Sequence, residues 1–404
     1  MVIGYSNRLE MYGDDFPADP ESKIELLGTY NFPPQALCRD DDSLVGLVMT
    51  FDGNLAFATD QGVVGVLPRD IRTATDASLH TTSLNGDKCD DPNLPADALT
   101  HITNNIAADP EGGIYAVTAR EMLRFSTDGA NGVRIDWRSE YENGEGLSAI
   151  RIGDAGSGST PTVMGTGDDD RFVVITDGQA VMHLVLYWRD TIPADWQPIA
   201  PGKDPRIACE FPVTFGRPEA TNTESEQSVL VSGYSSVLTQ NRLEDTAELA
   251  TLAEAARRGS AAFLGGDPAL APRGAQRIDW DPATRTCSSV WSNATISMPN
   301  TVPTMSRATQ LIYGVGIDDA GTWGLHALDF ATGEPRFFVR GPGGEGCAEQ
   351  QLAQFQEGAA AVFRPYYTRY PTSCDNSFYG STTIGPDRTI YISNFGSLTR
   401  YVPD

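Results

Sequence analysis

Three turns recur at a constant interval in the first half of the chain, and this spacing constrains the fold more than any other feature. Phe51-Asp52-Gly53-Asn54 precedes an apolar run at 55–59, Asp109-Pro110-Glu111-Gly112-Gly113 precedes one at 114–118, and Gly167-Asp168-Asp169-Asp170 precedes one at 171–176. Asp52, Pro110 and Asp168 lie 58 residues apart each time. Pro386-Asp387-Arg388, ahead of 389–393, is a later copy. Acidic, glycine or proline turns, each followed by a run rich in Val, Ile, Tyr and Phe, predict four-stranded antiparallel modules repeated along the chain.

Two further modules are legible downstream. Residues 227–239 read as two strands with 273–292 as their outer pair, and 311–319, 323–330 and 336–340 read as three strands of the next module. The tally is six, with a seventh possible. An all-β chain of this kind is predicted to form a β-propeller, in one domain spanning 1–404. The last module ends with 397–402, and the segment 23–32 is expected to supply its fourth strand, closing the ring and removing open sheet edges. One helix is expected in the insertion near 245–258: Asp245 and Glu248 have capping-box spacing, Leu249, Leu252, Ala253 and Ala256 keep helical periodicity, and Gly259 can end it.

Charge and cysteines narrow the environment and the partners. With 29 Lys and Arg against 54 Asp and Glu, the net charge of -25 repels phosphate backbones and anionic lipid, so neither nucleic acid nor membrane insertion is expected. No apolar run approaches the roughly 18 residues of a membrane-spanning helix. The six cysteines show no CxxC or CxH spacing, which disfavours a zinc ribbon. Disulfides are the favoured reading, Cys38 with Cys89 and Cys347 with Cys374 as neighbours and Cys209 with Cys287 by elimination; six buried thiols are the alternative. Acidity and disulfides together lead to the expectation of a secreted or periplasmic protein; a monomer is expected as well, with a small molecule or saccharide as its ligand.

Two segments resemble known propeller families. Ala327-Leu328-Asp329-Phe330-Ala331-Thr332-Gly333-Glu334-Pro335-Arg336-Phe337 resembles the A-x-D-x-x-T-G-x-x-x-W blade motif of quinoprotein-like propellers, with Phe337 in place of Trp. Asp281-Pro282-Ala283-Thr284, leading to Trp291, is a looser copy with Arg285 where the motif has Gly. The Asp and Thr-Gly would make the outer turn, with the aromatic packed between blades. The vicinal cysteine pair of quinone-binding dehydrogenases is missing, so no quinone is expected. Asn105-Ile106-Ala107-Ala108-Asp109-Pro110-Glu111-Gly112-Gly113-Ile114-Tyr115 is similar to the N-G-I-A-x-x-P-D-G-x-x-Y unit of gluconolactonase and strictosidine-synthase-like propellers, with Ile106 replacing Gly. That resemblance implies that Asn105 is a ligand of a central metal, usually calcium.

Loops ahead of the innermost strands are where a propeller gathers polar groups. Carboxylate and amide oxygens converging there would suit Ca2+, a hard cation that takes six to eight oxygens. Asn105, Glu226, Asp375 and Asn376 are the candidate ligands; His101 or Asp42 is the candidate base, with Arg307 nearby for an anionic group. The leading expectation is metal-assisted hydrolysis of a small ester or lactone, the cation polarising a carbonyl while a base activates water. The alternatives are a non-catalytic propeller that binds carbohydrate or protein, and a lyase or isomerase acting on a saccharide. Each of these residues also has a structural role open to it, as a turn residue that satisfies strand ends. The histidines His183 and His326 fall within outer-strand patterns and His80 in a linking segment, which disfavours a four-histidine iron centre.

Overall fold

A computed structural model of the chain describes all residues except 15–21, 92, 128–131, 145–155, 244–266, 344–348, 350–352, 354–363, 365–374, 378, 395–396 and 404. The described residues form seven antiparallel sheets, and the chain divides into two compact units, Met1–Asn143 and Gly144–Asp404. The fold is an all-β propeller, and each sheet is one blade.

The first unit holds three sheets. β1 (Val2–Tyr5), β2 (Arg8–Asp14) and β3 (Ile24–Asn31) make the first; β4 (Leu44–Met49), β5 (Asn54–Thr59), β6 (Val63–Pro68) and β7 (His80–Ser83) the second; β8 (Ala107–Ala108), β9 (Ile114–Val117), β10 (Glu121–Thr127) and β11 (Val133–Glu140) the third. The second unit holds four. They are β12 (Thr162–Met164) with β13 (Phe172–Thr176), β14 (His183–Trp188) and β15 (Ile207–Pro212); β16 (Leu230–Ser232) with β17 (Ser235–Thr239), β18 (Ala275–Asp281) and β19 (Thr286–Asn293); β20 (Thr304–Ser306) with β21 (Leu311–Ile317), β22 (Trp323–Asp329) and β23 (Pro335–Arg340); and β24 (Thr382–Ile384) with β25 (Ile390–Asn394) and β26 (Ser397–Tyr401). Asp52, Pro110 and Asp168 all fall in the turn between the first and second strands of their sheets, so the 58-residue interval is the blade repeat.

Burial follows from this stacking. The second strands of three sheets are buried along their whole length: Ile114–Val117 and Phe172–Thr176 read as apolar runs, and Ser235–Thr239 is buried throughout with its serines and threonine. Outer strands are only partly covered, so β11 and β19 mix buried with exposed positions. The apolar clusters lie between successive sheets of each unit. Phe172, Trp188 and Trp280, with ring centroids 4.8 to 5.9 Å apart, join the β12–β15 and β16–β19 sheets. Cys209 of β15 and Cys287 of β19 are disulfide-bonded across the same boundary, and Cys38 is bonded to Cys89 in the first unit. The Cys347 and Cys374 pairing and the helix at 245–258 lie outside the described residues.

Two expectations require correction. The segment 23–32 does not complete the last blade: β3 pairs with β2, in register from Arg8 opposite Asn31 to Asp14 opposite Ile24, inside a sheet of its own. The sheets number seven, the count that the sequence left open beside six. The signal was weak because β2 turns Arg8 and Glu10 outward as an ion pair at 2.8 Å, while Leu9 between them is fully buried. His80 is the first residue of β7 rather than part of a link. Among the described residues, no helix is long and apolar enough to cross a membrane.

Candidate functional site

In the second unit the first strands of the four sheets lie side by side, and the loops that feed them meet at one end. Residues 157–160 lead into β12, 223–227 into β16, 300–301 into β20 and 375–379 into β24. Gln240 and Asn241 leave β17 at that end. Gly158 bears directly on Glu226: a Cβ there would lie 2.6 Å from the Glu226 Cβ.

Hydrogen bonds tie these loops into one cluster. Asn241 donates its backbone N–H to the Glu224 carbonyl at 3.0 Å, and its side-chain oxygen accepts the Glu226 N–H at 3.2 Å. Its amide nitrogen donates to the Tyr379 hydroxyl at 3.3 Å, which lies 3.3 Å from Glu226 Oε2 and donates to it. The Asn300 carbonyl accepts the Tyr379 N–H at 2.8 Å and the Ser377 hydroxyl at 2.6 Å, while the Asn300 side chain donates to Asn376 Oδ1 at 3.1 Å. Gln227 Nε2 donates to the Pro299 carbonyl at 2.8 Å. Glu226 and Tyr379 are half-buried above this floor, and Ser159, Ser225, Gln227, Asn241 and Asn300 are buried.

Tyr379 is the unusual member. Its φ of +63° is a left-handed conformation that an aromatic residue adopts at a cost, and the Asn300 carbonyl helps hold it there. Burial pushes its phenol well above the ordinary value, and the Glu226 and Glu224 carboxylates push it further. The hydroxyl is therefore a donor at neutral pH. Among the described residues, Gln227 Oε1, Ser159 Oγ and Ser225 Oγ are buried without a hydrogen-bond partner.

Within the second unit the structure brings some of the sequence-derived candidates together and sets Arg307 apart. Glu226 meets the loop carrying Asp375 and Asn376 through Tyr379. Asp375 Oδ2 accepts the Gly343 N–H at 2.9 Å, and burial raises its carboxyl to about 6, against the pull of that bond and of Arg340. Arg307 follows β20 instead of preceding it and is exposed in the turn to β21, at the other end of that strand. Asp42, His101 and Asn105 belong to the first unit. Asp42 is buried and accepts Cys38 N–H at 2.9 Å, Gln61 N–H at 3.0 Å and the Thr59 hydroxyl at 2.9 Å. Burial, with the neighbouring Asp60 carboxyl, raises it to about 6 against those three donors. His101 places Nδ1 3.0 Å from the Asp60 carbonyl. Asn105 Oδ1 accepts the N–H groups of Leu47 at 2.8 Å and Ile106 at 2.9 Å, so it stitches β4 to the segment ahead of β8.

This arrangement bears on the expected metal. Among the described residues, no group of three or more His, Cys, Asp or Glu could hold an ion. Both lone pairs of the Asn105 side-chain carbonyl are directed to backbone donors. Asn105 is thus engaged by the backbone, and calcium enters no step proposed below. Tyr379, Asn241, Gln227 and Asn300 were not among the sequence-derived candidates. Asn241 and Gln240 could have been found from topology, because a second strand ends beside the point where the first begins. The positive φ of Tyr379 has no comparable signal beyond the turn-forming Gly380 that follows it.

No known protein-family model matches the chain. It is 38% identical over 394 residues to an uncharacterised protein of Archaeoglobus fulgidus, covering 98% of this chain and 66% of that protein's length. In structure it is similar to Sqt1 of Saccharomyces cerevisiae, with a TM-score of 0.53 and 8% identity over 99% of this chain and 78% of that one. Sqt1 of Chaetomium thermophilum aligns with 83% of this chain and 69% of its own, at a TM-score of 0.49 and 12% identity. The yeast likeness is one of fold alone and agrees with the seven sheets: the chain is a β-propeller.

Proposed function

We propose that the chain is a binding propeller whose polar loop end, in the second unit, takes a neutral saccharide. The observation that supports this most is the triangle of Glu226, Tyr379 and Asn241, of which Glu226 and Tyr379 are half-exposed and Asn241 is buried. The half-exposed Glu226 carboxylate is a charged acceptor, whose hydrogen bonds contribute about 1.5 to 3 kcal/mol each, so such a site favours a ligand dense in hydroxyl donors. The tyrosine ring offers an apolar face to sugar C–H groups, and its hydroxyl stays protonated to donate. The charge of -25 disfavours polyanionic ligands.

Calorimetric titration with a panel of neutral oligosaccharides tests the proposal. Saturable binding that Tyr379→Phe weakens about tenfold is the expected result, matching one lost hydrogen bond to a sugar hydroxyl. Ester or lactone turnover abolished by Glu226→Gln would replace binding with the hydrolase reading. Retention of an apolar or charged protein partner, with no response to any sugar, would also overturn it.

A further inference from the structure

A pocket of about 390 Å³ opens in the first unit between the β1–β3 and β4–β7 sheets. It lies by the turn that joins β4 to β5, at the end of the sheet opposite Asp42 and His101. The volume is within the range of small-molecule sites. Three of the chain's eight methionines, Met1, Met11 and Met49, line it together with aliphatic side chains of β1, β4 and β5. Thioether side chains are flexible and polarizable, so such a wall adapts to a ligand of variable shape. No lining residue is aromatic, so nothing there stacks on a planar ring.

The rim is basic in an otherwise acidic chain. Arg72 and Asp70 form two parallel contacts, Nε to Oδ1 and Nη2 to Oδ2, both 2.8 Å. The Arg72 stem lies across Gly28 of β3, where a Cβ would approach its Cγ to 2.7 Å. Asp70 thereby neutralises Arg72. Arg69 is exposed beside them and forms no hydrogen bond or ion pair among the described residues. The lining therefore carries the positive charge of Arg69, which Asp70 shares with Arg72, and the Met1 ammonium, which donates to the Tyr12 carbonyl at 2.8 Å, over an apolar, deformable wall.

We infer that this pocket binds a single-chain amphiphilic monoanion, the alkyl carboxylate class, with the chain along the methionines and the carboxylate at Arg69. Arg69, with the Met1 ammonium in the same lining, makes the rim cationic enough to hold one carboxylate. A polyanion would meet the repulsion of the whole chain, and an uncharged hydrocarbon would leave the rim unused. The inference is independent of the saccharide proposal, which concerns the second unit.

The test uses decanoate as probe and protein labelled with ¹³C at the methionine methyls. Saturable shifts of the Met1, Met11 and Met49 resonances are expected, with Met182 and Met298 unchanged. Arg69→Ala, an exposed substitution whose fold is checked by thermal unfolding, should weaken decanoate about fivefold and leave decanol binding unchanged. Absence of saturable shifts at Met11 and Met49, or equal decanoate affinity with and without Arg69, overturns the assignment. So does tighter binding of a short all-leucine peptide than of decanoate.

Discussion

The indole of Trp291, on β19, lies across Gly333, in the turn between β22 and β23 of the next sheet. A Cβ on Gly333 would stand 2.4 Å from Trp291 Cε3, and the glycine sits at φ +73°. Trp291 Nε1 donates to the Phe330 carbonyl at 2.9 Å, and Asn293 donates to the Gly333 carbonyl at 3.0 Å. Asp329 completes the turn, accepting the Ala331 and Thr332 N–H groups at 2.9 and 3.0 Å. The blade motif is thus a docking device between sheets, and no ligand is required to explain it.

Gly333→Ala should destabilise the protein by about 3 kcal/mol, combining left-handed strain with overpacking against the indole. Urea unfolding followed by tryptophan fluorescence measures this. A change below about 1 kcal/mol would mean that the contact relaxes freely.

Arg285 occupies the corresponding position of the looser motif copy and adopts φ +53° there, with Asp281 accepting the Ala283 N–H and the Thr284 hydroxyl, each at 2.9 Å. Arg285→Gly relieves the strain but loosens the unfolded chain and removes an exposed ion pair with Asp195. These effects nearly cancel, so stability should stay within about 0.5 kcal/mol of the parent in the same urea assay. A large loss would show that the ion pair matters more than its exposure implies.

Two histidines give the second unit opposite pH signatures. Burial lowers His326 to about 4, although its hydrogen-bonding contact with the Ile317 carbonyl and the charge of Asp318 oppose the shift. A depressed histidine contributes stability above its unfolded value near 6.5, which is lost as pH falls toward 4; the full span corresponds to about 3 kcal/mol. For His183, burial disfavours the charge, but the Asp177 carboxylate at 2.7 Å, helped by Glu210 and opposed by Lys203, brings the net shift upward. Its contribution is complete below about 6.5 and is lost as pH rises through the raised value. His326→Phe should flatten the loss of stability between pH 6.5 and 4, and His183→Gln should flatten the decline on the alkaline side. Exchange of these two outcomes would refute the assignments.

The Cys209 and Cys287 bridge closes a loop of 78 residues between two sheets, and the Cys38 and Cys89 bridge one of 51. The chain-entropy relation gives about 4 kcal/mol for each. Replacing either pair with alanine should lower the thermal midpoint by several degrees, and reductant should then have less further effect. Alkylation of the four cysteines in protein taken directly from cells, before any reduction, would contradict an oxidising compartment.

Much of the fold was written in local pattern. The turns at Asp52, Pro110 and Asp168, the apolar second strands and the Asp329 to Gly333 motif depend on neighbours within a few residues, so they are legible one segment at a time. The sheet containing β1 to β3 was not, because its charged outward positions hide the alternation that Leu9 obeys. Sequence position likewise identified Glu226, Asp375 and Asn376 as loop residues ahead of inner strands but not their partners.

The chain by itself determined that β-modules recur, where their turns fall and that the surface is acidic, since each follows from short-range pattern or from summed charge. Tertiary structure alone decided that Asn105 satisfies backbone donors, that Arg307 faces the other end of its strand, and that Tyr379 and Asn241 reach Glu226. Those outcomes depend on contacts such as Asn105 with Leu47, 58 positions apart, and Tyr379 with Asn241 and Glu226, 138 and 153 apart, or on which end of a strand a loop occupies, and neither quantity is encoded in any local window of sequence.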